Sequence, residues 1–93
     1  KEGLFMQDIN VVWKRICEHE GQEFRQIRGK PFTYSVSGNV LFLNCTNRSI
    51  SKRIIEQALE YVPLDNTVPV QHLQAPSYIY AILMDNRICN GLW

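Results

Sequence analysis

The spacing of apolar residues changes along the chain, and each change predicts an element. Phe5, Ile9, Val12, Trp13, Ile16 and Cys17 recur at steps of three and four, with Gln7, Asp8, Lys14, Arg15 and Glu18 mainly on the opposite side. That period is one face of an amphipathic helix, expected over residues 4–20. Gly21 is the expected stop, because glycine takes the left-handed conformation at a helix end without steric cost. From Phe24 the period shortens to two. Residues 24–28 set Arg25 and Ile27 against Phe24, Gln26 and Arg28, and read as a first strand broken by Gly29-Lys30-Pro31.

Residues 32–36 and 40–45 flank Ser37-Gly38-Asn39 and read as a hairpin. A Gly38-Asn39 loop sets Val36 opposite Leu41 and Tyr34 opposite Leu43. A Ser37-Gly38 loop sets Tyr34 opposite Leu41 and Phe32 opposite Leu43. Both registers gather the same apolar face, since side chains alternate along a strand. The other face carries Thr33, Ser35, Ser37, Val40, Phe42 and Asn44, as expected of a sheet with one side in water. Phe42 stands out on it.

A turn over 45–49 follows, and Ser49 or Ser51 is placed to cap a second helix by accepting a bond from a free amide of its first turn. Ile54, Ile55, Ala58, Leu59 and Val62 form that helix's buried stripe, and Pro63 ends it. Pro69 argues against a central strand in 64–74, which reads as a loop with one helical turn at 70–73. A third helix is expected over 77–85. Ile79, Ala81, Ile82, Leu83 and Met84 surround it, so it is either deeply packed or part of an interface. The tail from Arg87 adds Ile88, Leu92 and Trp93. The expected class is α+β, a three-stranded antiparallel sheet packed on helices in the order α-β-β-β-α-α.

Ninety-three residues, 45% of them hydrophobic, suit one globular domain over 1–93, either complete or excised from a larger protein. The apolar run 78–84 is far short of the ~20 residues that cross a bilayer, so no membrane is expected. Cys17, Cys45 and Cys89 are odd in number and widely spaced. With no charged-then-apolar leader at Lys1, they point to a reducing cytoplasm and not to a disulfide framework. Asn44-Cys45-Thr46 and Asn47-Arg48-Ser49 match the glycosylation triplet and read here as turn and cap chemistry.

Charge changes the picture most. Residues 24–55 hold Arg25, Arg28, Lys30, Arg48, Lys52 and Arg53 and no carboxylate, a count of +6 between flanks of −2 and −3, inside a net charge of +1. Arg48, Lys52 and Arg53 lie around the start of the second helix. A helix start already carries about half a positive charge, and each added cation there costs roughly 0.3–1 kcal/mol. An external anion held by these side chains, by the Ser49 and Ser51 hydroxyls and by free amides relieves that cost. With Arg25, Arg28 and Lys30 on the same side, the strip follows a nucleic-acid backbone. The bland alternative pairs these charges with Glu18, Glu20, Glu23, Glu56 and Glu60. Of the aromatics, Phe32 and Tyr34 face the core, which leaves Phe42 as the stacking candidate, with Phe24 behind it.

Helix-strand-strand-strand-helix with Ser51-Lys52-Arg53 opening the last helix is similar to the double-stranded-RNA-binding domain, over residues 4–62. The resemblance implies contacts to phosphates across a groove, read by shape. Asn44 to Ile50 replace that family's glycine-rich approach, and Ile54 and Ile55 stand where it tends to use small residues.

Support for an enzyme is thin. Cys17 and His19 are too close in sequence for a usual zinc pair, and no Cys-x-x-Cys exists. Ser35, Ser49 and Ser51 have no local base, and His72 reads as a loop residue. Gly29-Lys30 lacks the upstream glycine of a phosphate loop. Neither a cofactor nor a metal is expected. The first expectation is a non-catalytic module on the backbone of DNA or RNA. The second is a protein-interaction or oligomerisation module, contacting a partner or a further copy through Tyr78, Ile79, Ile82, Leu83, Ile88, Leu92 and Trp93.

Overall fold

Asp8 opens the first helix. Its side chain accepts the Asn10 amide at 2.8 Å, satisfying one of the donors that a helix start leaves free, and α1 (Ile9–Glu18) follows. The computed structural model describes residues 7–93. Leu4 and Phe5 of the expected helix lie outside the described residues. Val12, Trp13 and Ile16 are buried as the period requires, but Cys17 is exposed. It occupies the last turn, where the chain is already leaving the core. Gly21, at φ 83°, turns the chain, and its amide donates to the Tyr34 carbonyl at 2.9 Å.

The expected first strand stops early. β1 (Phe24–Arg25) pairs antiparallel with β2 (Pro31–Phe32). The residues between close a turn, with the Gln26 amide donating to the Lys30 carbonyl at 2.9 Å and the Gly29 amide to the Gln26 carbonyl at 2.7 Å. This ribbon is separate from the main sheet. It buries Phe24 and Phe32, whose ring centroids are 6.1 Å apart.

The main sheet has the order β3-β4-β5, from β3 (Tyr34–Ser37), β4 (Val40–Leu43) and β5 (Ser49–Ser51). Tyr34 pairs with Leu43 and Val36 with Leu41, so Gly38-Asn39 is the loop. Three antiparallel strands are therefore present as expected, but the third is β5, in residues read as the end of a turn and the cap of the second helix. Two of its three residues are serine, so no apolar alternation marks it. Its pairing with β4, Leu41 to Ile50 and Phe42 to Ser49, makes it a strand. Tyr34, Leu41, Leu43 and Ile50 form the buried face of the sheet. On the outer edge of β3, the Val36 amide donates to the Glu20 carboxylate at 2.8 Å. That contact and the one from Gly21 cover an edge that would otherwise be open to pairing.

Ser51 caps α2 (Lys52–Ala58) by accepting the Ile54 amide at 3.2 Å. The single helical turn of the next loop falls at Val68–Val70, two residues before its expected place. α3 (Pro76–Leu83) and α4 (Asn86–Cys89) complete the fold. α4 was not expected. It and the tail are tied back to α1 by Arg15, which donates to the Ile88 carbonyl at 2.8 Å and the Asn90 carbonyl at 3.0 Å.

Candidate nucleic-acid interface

Three elements meet at the start of α2. The Lys52 amide donates to the Asn39 carbonyl at 2.8 Å, fixing the β3–β4 loop against the helix. The Lys52 ammonium donates to the Asn10 side-chain oxygen at 3.1 Å, fixing α1 beside it. Between them lies an open recess of about 750 Å³ lined by Ile9, Asn39, Val40, Ser51, Lys52, Arg53 and Glu56. Ser51 accepts the Ile54 amide as the helix cap, which leaves its O–H to donate. Ser49 belongs to β5 and caps nothing.

The six cations are not gathered at one place. Arg28 and Lys30 line a second recess of about 390 Å³ with Gln26, Ile27, Thr67 and Ser77, beside the start of α3. Arg25 is answered locally, by Glu23 at 3.1 Å and by the Gly29 carbonyl at 3.0 Å. Arg48 sits in the β4–β5 turn. Its charge acts on Tyr78, whose phenol is nevertheless pushed above its ordinary range, first by the hydrogen bond with Cys45 and then by burial. Arg48 and Lys52 thus flank the two ends of β5, roughly 13 Å apart along the strand. Among the described residues, Arg28, Lys30, Arg48, Lys52 and Arg53 form no ion pair; the pairs are Arg25–Glu23 and Arg87–Asp85.

The outer face of the sheet adjoins this line. The register puts Ser35, Ser37, Val40, Phe42, Ser49 and Ser51 on it. Phe42 is in the middle strand, opposite Ser35 on one side and Ser49 on the other, and is 43% exposed. Val40 and Ser51 belong both to this face and to the recess of Lys52 and Arg53.

The apolar residues expected at an interface are mostly inside. Ile79, Ile82, Leu83 and Ile88 have no exposed surface. Of the two explanations for an all-round apolar helix, deep packing therefore accounts for α3, which lies against the ribbon on one side and α4 on another. Tyr78, Leu92 and Trp93 are half-buried. Tyr78 stands edge-on to Phe32 at 5.0 Å, and its hydroxyl lies 3.4 Å from the Cys45 sulfur. The Trp93 indole donates to the Leu83 carbonyl at 2.9 Å, closing the end of α3.

Sequence reasoning missed Arg87, which joins α4 to β1. Its guanidinium holds both Asp85 carboxylate oxygens at 2.9 Å, donates to the Glu23 carbonyl at 2.8 Å and lies 3.8 Å over the Phe24 ring. The local signal is Asp85 two residues before Arg87 at a helix cap. The Phe24 contact has no local signal.

The molecule is an α+β protein whose main sheet shows one face to solvent, and the cations at both ends of β5 form no ion pair among the described residues. No family model, curated protein or solved structure matches the chain. No three His, Cys, Asp or Glu side chains gather into a metal-binding group among the described residues. No helix among them is long and apolar enough to cross a membrane.

Proposed function

We propose that this chain is a small non-catalytic module that binds nucleic acid by its phosphates, through Ser51, Lys52 and Arg53 at the start of α2, with Ser49 and Arg48 continuing the contact along β5. One observation carries the reading: Lys52 and Arg53 stand at a recess built by three elements, at the helix end where cations are least favoured, with no carboxylate paired to them among the described residues. A phosphate there offsets both the side-chain charges and the positive end of the helix. Arg28 and Lys30 make a separate, secondary patch, and Arg25 contributes least because Glu23 already answers it.

The test is the fluorescence anisotropy of labelled oligonucleotides across a salt series, with the wild type and the Lys52→Ala/Arg53→Ala double variant. Three neutralised phosphates give a log–log slope of about −2 on a single strand or about −3 on a duplex. The double variant binds more weakly, with a shallower slope and no loss of melting temperature. Unchanged affinity in that variant overturns the proposal.

A further inference from the structure

We infer that the ligand is single-stranded and that one of its bases stacks on Phe42 across the open face of the sheet, an inference that rests on the phosphate-binding reading above. Phe42 projects from the centre strand, away from Tyr34, Leu41, Leu43 and Ile50, which fill the core from the other face. A phenylalanine 43% exposed amid serines on a sheet face contributes little to packing. It does offer a flat ring to another flat ring. Base stacking on such a ring tolerates any sequence, because every base has a π face.

The surroundings select the occupant. Charge at both ends of the neighbouring strand β5 is positive, from Arg48 at one end and Lys52 with Arg53 at the other. The face runs into the cationic recess through Val40 and Ser51, and Glu56 is the carboxylate among the recess's lining residues. Phe42 and Val40 are two residues apart on one strand, about 7 Å, comparable with the reach of one nucleotide. A base on Phe42 thus leaves its backbone within reach of the α2 start. An intact duplex hides its base faces in the stack, whereas a single strand presents them. Ring and cations are used together only by an unpaired strand.

The experiment titrates the full chain into a labelled oligothymidine and into a labelled duplex of equal length, using wild type, Phe42→Ala, Phe42→Trp and Lys52→Ala/Arg53→Ala. The single strand binds more tightly than the duplex. Phe42→Ala weakens it roughly 5- to 150-fold with no change in melting temperature. Phe42→Trp retains binding, and its added emission over wild type is quenched by the oligothymidine. If Phe42→Ala and wild type hold the single strand equally while the double variant loses it, the stacking inference fails and the phosphate reading stands. If wild type binds neither probe, both fail. Self-association of the wild type that is lost in Phe42→Ala assigns the face to a second copy and overturns the inference.

Discussion

Arg87 and the pair Lys52–Arg53 occupy the first turns of two short helices, α4 and α2, and their surroundings treat them differently. At α4 the cap is Asp85, an anion, and it holds the guanidinium in a two-pronged grip while Phe24 lies beneath. At α2 the cap is Ser51, which is neutral. Lys52 receives one amide oxygen, and Arg53 stays exposed. A cation at a helix start is unfavourable in both places. Where the fold uses it, an acid stands beside it. At α2 no carboxylate among the described residues pairs with Lys52 or Arg53, although Glu56 lines the same recess. The six-cation count could not separate these cases, because Arg87 and Asp85 both lie outside residues 24–55.

The comparison breaks first if Arg87 is dispensable. Arg87→Ala is expected to destabilise the fold by about 1–3 kcal/mol, through the lost stack on Phe24 and an Asp85 carboxylate left with only the residue 87 amide. The value belongs at the lower end, because both side chains are partly exposed. Lys52→Ala/Arg53→Ala is expected to cause no loss of stability, and a gain of up to about 1 kcal/mol as the cations leave the helix start. Urea denaturation of both variants measures the contrast, and equal losses would remove it. Ser51→Ala comes next, at about 1 kcal/mol, because the Ile54 amide loses its acceptor.

Acid titration sharpens the same contrast. The Arg87 hydrogen bond holds the Asp85 carboxyl below the usual carboxylate range, against the opposing effect of burial. As pH falls, the unfolded chain therefore binds this proton first. The stabilisation is complete above about pH 4 and is lost as pH drops through the lower folded-state value. Asp85→Asn is expected to flatten that part of the stability–pH curve, measured as denaturation midpoints between neutral and acid pH. Phe42→Ala has the smallest expected effect on stability, within about 0.5 kcal/mol, although its effect on single-strand binding is large.

How much of this was legible follows from the range of each interaction. The stripe Val12, Trp13, Ile16 and the hairpin from Tyr34 to Leu43 obey local periods, and the structure keeps both. The outward direction of Phe42 follows from the same alternation. β5 was not legible, because Ser49–Ser51 contains one apolar residue and becomes a strand only through β4. α4 was not legible, because Asn86–Cys89 is a single turn held by Asp85 and by Arg15 from the far end of the chain. At the site, Ser51-Lys52-Arg53 was visible as a motif. Its separation from Arg28 and Lys30 depends on the ribbon β1–β2 lying apart from the main sheet, which no local pattern encodes.

Backbone amide shifts of the labelled protein, followed by NMR as oligothymidine is added at low salt, test the central claim most directly. The expected shifts fall on Val40–Leu43, on Ser49–Ser51 and on Arg48, Lys52 and Arg53, and recede as salt is raised. Shifts gathered instead around Arg28, Lys30 and Ser77, or no shifts at all, would contradict it.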